Sequence, residues 1–482
     1  MSDETPTRLL HRLTSYQPDR EWTEPLDDER VLRGFALNDE AHRPMPYADV
    51  AADLPRLALP TDLPGSSAPA LDVLAGTADV AHAPADLAAL ARVLFLAGGV
   101  TRTTVRDGVR QLFRAAGSAG ARFPLELYVA VPRDDAGGLP AGVHWYDPEA
   151  HALVTVGPAP TGEAPAVVVT GVPWRTGWRY RERGFRHVYW DAGTMLSHLL
   201  AAADSAGLGA RLFTAFPDLE VGALVGADGV REWPVAVVAL GAGDPALHPT
   251  GDAAGSRYDE DGLVFPLVTD AQQAGRRVAL GAERRRGAPV LVTSTEDAPV
   301  EDVVLRKGSM RRLRRGEAVP RAALVDAMTV ATRGVDVPHW VGVSAVDGVT
   351  TGIHRWPDLD APVRALDEDT VRAELYGAAL EQGLAGDAAF VVVSGVDLDA
   401  VDDHRYREVQ LDAGLVEGRL HLVAVALGLG ASGMTFRDSD IGALLGEDVA
   451  GLLWTCVGVP EYRTRRSGGP GSPAEVSIVW PR

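Results

Sequence analysis

The chain has 482 residues, of which 46 % are hydrophobic and 23 % charged, and its formal net charge at pH 7 is −20. The length exceeds that of one ordinary hydrophobic core, so two or more folded units are expected. The acidic balance argues against general nucleic-acid binding, and no apolar stretch approaches the roughly 20 residues of a membrane span.

The cysteine count and the N-terminal sequence indicate in which cellular compartment the protein is located. The chain contains a single cysteine, Cys456, within the apolar run LLWTCVGV, where a buried small hydrophobe is favoured over a nucleophile. The N-terminus MSDETPTRLLHRL lacks the order of a secretory signal. A cytoplasmic protein is therefore predicted. No CxxC, HExxH or comparable cluster is present, so no metal site is predicted.

An internal repeat organises the chain. FRHVYWDAG at 185–193 matches YREVQLDAG at 406–414, and in both copies a helix-like run, a short helix and an apolar strand follow at an offset of about 221 residues. Strand hairpins are predicted upstream in each copy, over 125–156 and 339–366. This order indicates α+β layers rather than regular βαβ winding.

The repeat defines the predicted domain boundaries. Residues 1–73 are proline-rich and end in LPRLALPTDLP, which predicts an N-terminal arm against the body. The first domain is predicted over 74–245 and the second over 299–482. Residues 246–298, rich in Gly, Asp, Ala and Pro, are predicted to be a linker with some local order.

The first candidate site lies in LRKGSMRRLRRGEAVPRAALVDAM, residues 305–328. It places Lys307, the only lysine in the chain, Ser309 and Arg311 at alternating positions before a proline and an amphipathic helix. Cationic and hydroxyl donors of this kind bind phosphate by charge-assisted hydrogen bonds. The alternative is a solvated basic loop.

The second candidate is FRAAGSAGARFPLELYV, residues 113–129. Gly117, Ser118, Ala119 and Gly120 are too small to fill a core, so the backbone there can approach a flat ligand closely. The alternative is an ordinary turn before a strand.

Two arginine-rich stretches complete the candidates. The stretch WRTGWRYRERGFRHVYWDAG, residues 174–193, contains side chains that could act as acids or bases or could anchor a substrate. The alternative is a surface helix paired with acidic neighbours. The candidates there are Arg179, Tyr180, Arg183, Arg186 and His187. In the last stretch, 462–480, Arg463, Arg465 and Arg466 taken alone indicate a flexible basic tail.

Taken in order, these motifs resemble the nitroreductase family, and most closely its SagB/ThcOx branch of peptide azoline dehydrogenases. RAAGSAGARFPLELYV resembles the RxxPSAGxxYPLELY signature, with Gly117 in place of proline and Phe123 in place of tyrosine. GLPAGVHWYDPEAHAL and WRYRERGFRHVYWDAG resemble two further segments of that branch. The second copy matches through KGSMRR, YREVQLDAG and GLGASGMTFRDSDIGALLG. The resemblance covers about residues 80–241 and 300–480.

The resemblance implies two fused nitroreductase-like domains that form a pseudo-dimer. In that family FMN lies across a dimer interface, and here the two copies have complementary losses. KGSMR of the second copy resembles the family's R-x-S-x-R phosphate motif, with Lys307 in the first basic place. The first copy lacks this motif, since its nearest basic stretch, DDERVLRGF at 27–35, has no serine. The second copy has ATRGVDVPHW at 331–340 in place of the SAG loop. One intact composite FMN site and one inactive site are therefore expected.

The resemblance also assigns roles to individual residues. The phosphate is expected on Lys307, Ser309, Arg311 and Arg465 or Arg466. The backbone of Gly117, Ser118, Ala119 and Gly120 is expected to approach the isoalloxazine ring. Met434 and Thr435 are expected to present backbone N–H groups near the flavin N5.

The activity implied is oxidation of thiazolines or oxazolines in a ribosomally made peptide. This branch uses a Lys-Tyr pair for the proton, and the aligned pair here is Arg179-Tyr180. Arginine stays protonated near neutral pH, which leaves Tyr180 as the candidate base. Two alternatives stay open: an NAD(P)H-dependent nitro or ene reductase acting on a small molecule, and a non-catalytic peptide-binding partner. The expected partners are a peptide or small natural-product intermediate, other biosynthetic enzymes and a second copy in a homodimer, with no nucleic acid and no membrane.

Overall fold

The computed structural model describes residues 4–17, 28–34, 36–106, 108–134, 137–255 and 262–481. Parts of the predicted arm, first hairpin and linker lie outside these described residues. We call the chain up to residue 245 the first half and the chain from residue 299 the second half.

The elements up to residue 245 follow the predicted order of hairpin, strand, long helix, short helix and strand. The helices are α1 (Pro6–Leu13), α2 (Ala70–Ala75), α3 (Leu87–Gly98), α4 (Pro173–Tyr180), α5 (Gly184–Ser205) and α6 (Asp218–Val225). The strands are β1 (Arg56–Ala58), β2 (Val100–Arg106), β3 (Val109–Arg114), β4 (Leu125–Val131), β5 (Gly142–Asp147), β6 (Ala152–Gly157), β7 (Ala166–Gly171), β8 (Ala210–Phe213) and β9 (Trp233–Leu240).

The remaining elements repeat that order after one helix in the linker. The helices are α7 (Pro266–Ala274), α8 (Val300–Arg306), α9 (Arg321–Ala331), α10 (Glu368–Ala378), α11 (Gly383–Asp387), α12 (Asp403–Ala426) and α13 (Ile441–Leu445). The strands are β10 (His339–Val343), β11 (Gly352–Arg355), β12 (Arg364–Ala365), β13 (Phe390–Val396), β14 (Gly430–Met434), β15 (Ala450–Gly458) and β16 (Ala474–Glu475). Short 3-10 turns lie at Glu40–His42, Ala119–Ala121, Arg181–Arg183, Leu398–Ala400 and Asp438–Asp440.

Two antiparallel sheets share one strand order. The first sheet runs β1-β6-β5-β4-β7-β9-β8 and the second runs β12-β11-β10-β13-β15-β14. Apart from the edge strand β1, each strand of the first sheet has an equivalent at the same place in the second. The central strands β7 (AVVVTG) and β13 (FVVVSGV) are buried along their whole length. Such β-branched runs are typical of strands covered on both faces.

A third, small sheet joins the two halves. Strands β2 and β3 form a hairpin, and β16 from the C-terminal tail pairs in parallel with β2, with Ala474 opposite Arg102. The hairpin is inserted between α3 and β4. In the second half the equivalent connection, from α9 to β10, takes only residues 332–338.

The long helices α5 and α12 pack against each other at the centre of the molecule. Their closest approach uses the repeated glycines of the DAG motif. A Cβ on Gly193 would lie 2.2 Å from the carbonyl oxygen of Leu411, and one on Gly414 would lie 2.2 Å from that of Trp190. Because backbone cannot move out of the way of a side chain, both positions require glycine. The repeated motif therefore builds the interface between the halves.

The predicted arm and linker contain regular structure in their described parts. Helix α1 contacts the second half, where Asp403 accepts hydrogen bonds from both the N–H and the hydroxyl of Thr7. Strand β1 extends the first sheet. The predicted boundary at residue 73 is wrong, because it divides α2, a single helix that begins after Pro69.

The linker also packs closely on the body. Helix α7 lies within it, and residues 277–293, which contain no helix or regular strand, contact both halves. The N–H of Gly281 donates to the carbonyl of Ala215, and that of Val290 donates to Ala75. Among the described residues, no helix is long and apolar enough to cross a membrane, and no group of histidine, cysteine and carboxylate side chains could hold a metal ion. Cys456 is buried in β15, as predicted.

Candidate functional site

A cavity of about 600 Å³ lies between the two halves, and we call it the junction cavity. This volume is in the range of cofactor and ligand sites. Three segments line it: the loop after β3, the segment after α8, and the C-terminal tail. Its lining includes Ala115, Ala116, Gly117, Ser118, Ala121 and Phe123 from the loop, Lys307, Gly308, Ser309 and Arg311 from the segment, and Tyr462, Arg463, Thr464, Arg465 and Glu475 from the tail.

The lining is strongly basic although the chain is acidic. It carries six cationic side chains, Arg102, Arg114, Lys307, Arg311, Arg463 and Arg465, and one carboxylate, that of Glu475. Ser309, Arg311 and the two tail arginines are exposed to solvent. Among the described residues, no carboxylate forms an ion pair with Lys307, Arg311, Arg463 or Arg465. An anionic ligand would supply the missing charge.

Lys307 is the buried cation of the junction cavity. It caps the C-terminal end of α8 and is only 4 % exposed, so the solvated-loop alternative is wrong for this residue. Its Nζ lies 3.3 Å from where a Cβ on Gly117 would be. Burial lowers the pKa of Lys307 to about 8, while Glu417 raises it and Arg102 lowers it further. Glycine at 117 thus leaves room for a cation from the other half.

The loop that carries Gly117 is held by Asp191 of α5. The hydroxyl of Ser118 donates to one carboxylate oxygen at 2.5 Å, and the N–H of Ala119 donates to the other at 3.0 Å. The N–H of Phe123 in turn donates to the Ser118 hydroxyl at 2.8 Å. Ser118 therefore lines the junction cavity, but its hydroxyl is used within the loop.

Asp191 was not among the predicted site residues, although the repeated DAG motif contains it. Burial raises its pKa to about 7, and the hydrogen bonds from Ser118 and Ala119 act in the opposite direction. A buried carboxylate that receives two hydrogen bonds holds a loop in one conformation.

Arg179 and Tyr180 lie against the same loop but do not line the junction cavity. A Cβ on Gly120, whose φ is +57°, would lie 2.6 Å from Tyr180 Oη and 2.7 Å from Arg179 Cδ. Gly120 and Ala119 are likewise absent from the cavity lining. The loop therefore has two sides, one on the junction cavity and one on the Arg179-Tyr180 pair.

The predicted role of Tyr180 as a base does not fit its environment. The ring stacks on His187 with centroids 4.1 Å apart. Burial raises the pKa of Tyr180 above its ordinary value of 10, and Arg179 only partly offsets this. The phenol is therefore protonated at neutral pH, and burial disfavours the phenolate that a base would need.

Arg183 and Arg186 serve structure rather than a surface or a ligand. Both are buried, and each places Nη1 at 2.6 Å from Asp438 of the second half. The two guanidinium groups hold the pKa of Asp438 well below its usual range, against the effect of burial. These arginines therefore tie α5 to the second half.

Besides Ala119 and Gly120, three predicted cofactor residues do not line the junction cavity. The Met434 side chain packs in a core cluster with Phe436, and its backbone pairs with Trp454 in the second sheet. Thr435 follows directly. Arg466 instead forms an ion pair with Asp302. Of the two predicted phosphate ligands Arg465 and Arg466, only Arg465 lines the junction cavity.

Glu417 on α12 is a buried residue that the motifs did not reveal. It accepts a hydrogen bond from Thr194, and one of its oxygens lies 3.2 Å from Nε2 of His421. Comparison of the two copies contains the signal that could have found it. At the offset of the repeat, the equivalent residue is Leu196, so a carboxylate replaces a core leucine.

The equivalent position in the other copy, which we call the counterpart position, comprises residues 74–77 and 331–335. Helices α2 and α8 begin side by side, with a backbone bridge between Pro69 and Pro299, so residues after α2 correspond to residues after α8. Arg333 donates to the Leu74 carbonyl, and its Nη1 lies 2.5 Å from where a Cβ on Gly76 would be.

The linker fills the rest of the counterpart position. Gly287 and Gly334 approach so closely that a Cβ on Gly334 would lie 2.5 Å from the carbonyl carbon of Arg286. Arg284 places Nη2 at 2.5 Å from Asp412, the repeat equivalent of Asp191. Linker and loop thus close this position.

The stretch 27–35 is not the equivalent of the KGSMR segment. Residues 27 and 35 lie outside the described residues, and the N–H of Leu32 donates to Glu182 beside α4. The segment that follows α2, beginning GTADV at Gly76, occupies the place of KGSMR and contains no basic residue.

Among known proteins, no protein-family model matches the chain. A solved structure of a nitroreductase from Anabaena variabilis has a TM-score of 0.67 at 22 % identity and covers 95 % of this chain and 100 % of that one, which shows an α+β nitroreductase-like fold. A nitroreductase of Methanocaldococcus jannaschii is 31 % identical over 173 residues, covering 33 % of this chain and 81 % of that protein. The chain therefore belongs to the nitroreductase family and is an oxidoreductase of that family.

A further structural likeness carries no argument. The E. coli microcin synthetase McbBCD complex with bound truncated pro-microcin B17 includes a chain that matches at 16 % identity with a TM-score of 0.27, over 45 % of this chain and 77 % of that one. The SagB/ThcOx assignment therefore stays a prediction from the sequence motifs.

Proposed function

We propose that this protein is an FMN-dependent oxidoreductase that binds one FMN in the junction cavity. The observation that carries the proposal is the lining itself: six cations and one carboxylate around a volume of about 600 Å³, contributed by both halves of an acidic chain. A phosphate ester with a flat ring system matches this combination of charge, size and small loop residues.

The residues present fit this cofactor. Lys307, Ser309, Arg311 and Arg465 would hold the phosphate, and Arg463 extends the same basic rim. Gly117 leaves the backbone of the loop accessible to the ring. FMN, when bound, supplies hydride transfer, and the protein supplies binding, orientation and the surrounding charges.

We also propose that the two halves are fused copies forming a pseudo-dimer, with the counterpart position inactive. The shared strand order and the reciprocal glycine contacts of Gly193 and Gly414 support this. The loop with Gly117 that borders the junction cavity comes from the first half, and the buried cation Lys307 comes from the second. The linker over 277–293 is the segment that closes the counterpart position.

For the substrate, we propose dehydrogenation of thiazolines or oxazolines in a peptide natural-product intermediate. The support is the three-part motif resemblance in 114–129, 138–153 and 178–193. Association with other biosynthetic enzymes and pairing with a second copy are further parts of this proposal.

A second candidate, reduction of a small nitro or ene compound with NAD(P)H, is favoured by one observation. The phenol of Tyr180 lies against the loop of the junction cavity, next to Gly120, and burial raises its pKa, which keeps it in the protonated form. Reduction consumes a proton from such a donor, whereas dehydrogenation requires a base at the same place.

The test begins with the visible spectrum and the flavin content of the purified chain. One FMN per chain is expected, and two per chain would contradict the single site. A colourless protein that takes up no FMN would refute the flavoenzyme and favour the non-catalytic partner.

The substrate is tested on the holoprotein. Azoline oxidation predicts FMN-dependent loss of two hydrogens from an azoline peptide, measured by mass spectrometry. Anaerobic bleaching of the flavin by NAD(P)H alone, without a mass change in the peptide, would instead establish the reductase.

A further inference from the structure

Two arginine side chains lie against the loop after β3 but outside the junction cavity. Nε of Arg122 donates to the carbonyl of Gly120 at 2.9 Å. Arg179 packs on the same glycine, since its Cδ and Nε lie 2.7 and 3.1 Å from where a Cβ on Gly120 would be. Tyr180 Oη lies 2.6 Å from that point. Gly120 therefore brings two guanidinium groups and a phenol together, and we call Arg122, Arg179 and Tyr180 the arginine face.

The two arginines of this face have no negative partner among the described residues. Arg122 donates to a backbone carbonyl, and Arg179 makes one long hydrogen bond of 3.4 Å to the side-chain oxygen of Asn38. In the part of the chain that the structure describes, no carboxylate forms an ion pair with either guanidinium. Arg122 is half-buried and Arg179 is exposed, so a ligand can reach both from solvent.

A segment of the N-terminal arm lies beside the arginine face without neutralising it. The carbonyl of Asp39 accepts a hydrogen bond from Nε1 of Trp178 at 2.8 Å, and the guanidinium of Arg122 stacks on the same indole, 4.7 Å from a ring centroid. The carboxylates of this segment have other partners. Glu40 pairs with Arg43 at 3.2 Å, and Asp39 accepts hydrogen bonds from the backbone and the ring of its own turn.

Like charges therefore crowd the arginine face. Burial lowers the pKa of Arg122 to about 10, and Arg43 and Arg179 act in the same direction. The guanidinium is still protonated at neutral pH. An anion placed between such cations replaces their repulsion with charge-assisted hydrogen bonds.

The stacking on Trp178 fixes the direction in which Arg122 can donate. Its Nε is used by the carbonyl of Gly120, and among the described residues its two terminal nitrogens have no hydrogen-bond partner. A planar guanidinium held in this way loses little freedom when it binds a planar acceptor. The pair of N–H groups at its end matches the two oxygens of a carboxylate.

We propose that the arginine face binds a carboxylate of the substrate, so that the enzyme prefers acidic substrates to neutral ones. This inference rests on the proposed function, since it places the substrate at the loop that borders the flavin cavity. Ala121 and Phe123, the chain neighbours of Arg122, both line the junction cavity. A carboxylate on this face would thus lie one residue of loop away from the proposed flavin site. Both a peptide and a small acid can present such a group.

The test compares matched acids and amides on the FMN-loaded full-length chain. The small-molecule pair is 4-nitrobenzoate and 4-nitrobenzamide, and the peptide pair is one azoline peptide ending in a free carboxylate or in a carboxamide. Dissociation constants are measured by calorimetry, which requires no turnover. In at least one pair the acid should bind about 10-fold or more tightly than the amide, because it gains charge-assisted hydrogen bonds. The pair that shows this difference identifies the source of the carboxylate.

Variants then assign the preference to the arginine face. Arg122→Gln and Arg179→Gln should each weaken binding of the acid by about 10-fold and leave binding of the amide and of FMN unchanged. Arg179→Lys, which keeps the charge, should retain part of the affinity for the acid. The control is Arg321→Gln, which changes the net charge equally by removing a surface arginine paired with Asp360, and it should have no effect.

Equal affinities for acid and amide in both pairs, or equal losses for acid and amide in the variants, would overturn this inference even if FMN is bound. A wild-type chain without FMN would instead refute the proposed function. The FMN-free chain would then be titrated with the same acids, and binding that Arg122→Gln leaves unchanged would remove the carboxylate site. If Arg122→Gln lacks the near-ultraviolet dichroism of the folded protein, Arg179→Gln decides, since that side chain is exposed.

Discussion

The loop after β3 and the segment 332–338 after α9 occupy equivalent places in the two halves, and their surroundings differ by an exchange of residues. At the junction cavity, glycine lies on the loop (Gly117) and the cation on the facing segment (Lys307). At the counterpart position the arrangement is reversed, with Arg333 on the loop and Gly76 on the facing segment. The first arrangement leaves a basic cavity, while the second fills its own space.

The same exchange extends to the aspartates of the repeated motif. Asp191 orders its loop through neutral donors, Ser118 and Ala119, whereas Asp412 binds the guanidinium of Arg284 from the linker. A side chain as large as arginine brings its own charge and volume into the position. One scaffold can therefore support an open or a closed site, depending on which segment supplies the bulky cation.

The largest effect is expected from removing the phosphate donors. Lys307→Met combined with Ser309→Ala should weaken FMN binding by about 100-fold, since a buried charged donor and a hydroxyl donor are lost together. Fluorescence quenching of FMN provides the measurement. The matched change at the counterpart position, Arg333→Met, should leave FMN affinity unaltered. Equal losses in the two variants would show that the comparison between the positions is wrong.

Filling the loop glycine should produce the next largest effect. In Gly117→Val the new side chain points at Lys307 Nζ, 3.3 Å from the Cβ position, and should weaken FMN binding by roughly 10-fold or more with little loss of stability. Gly334→Val is the control. Its φ of +69° and the contact with Arg286 should reduce the free energy of unfolding by about 1–3 kcal/mol, without an effect on FMN binding. Denaturant unfolding and FMN titration together separate the two outcomes.

Exchanging the aspartates should affect FMN binding less. Asp191→Asn loses the carboxylate oxygen that accepts from Ala119, and the looser loop should reduce FMN affinity by about 5-fold. Asp412→Asn should instead lower stability by about 1–3 kcal/mol, because Arg284 loses the closer of its two carboxylate partners, and FMN affinity should not change. A reduced FMN affinity in Asp412→Asn would contradict the assignment of that aspartate to a closed position.

Asp191 also predicts a pH dependence of stability in the FMN-free chain. Its folded-state pKa of about 7 lies above the ordinary value of 3.8. The group therefore contributes stability that is fully present below about pH 4 and is lost as the pH rises to about 7. Relative to the wild type, Asp191→Asn should show a flatter loss of unfolding free energy over this range. An equally steep loss in the variant would mean that Asp191 is ionised throughout this range.

The smallest effect on binding is expected at the far side of the loop. Tyr180→Phe removes a hydroxyl that does not line the junction cavity, so FMN affinity should stay within about 2-fold of the wild type. Turnover of the substrate should nevertheless fall by about 100-fold if the phenol is the proton donor. Unchanged turnover would remove Tyr180 from the chemistry.

Much of the architecture was predictable because it is local or repeated. Hairpins and long helices follow from the alternation of β-branched residues and from apolar runs. The DAG repeat indicated from the sequence alone that α5 and α12 are equivalent helices. The β2–β3 hairpin was not predicted, since VTRTTVR and VRQLFR are polar and β2 also pairs with the tail strand β16, which is distant in the chain. Met434 and Arg466 do not line the junction cavity, because adjacency in a motif does not determine which residues reach a cavity.

The sequence contains the repeat, the complementary losses between its copies, and the basic, glycine and arginine segments from which a composite site could be built. Which of these residues meet depends on the packing of the folded chain. The burial of Lys307 beside Gly117 and the closure of the counterpart position by the linker both join residues far apart in the chain. Desolvation and charge pairing depend on such distant neighbours, and no local pattern contains them.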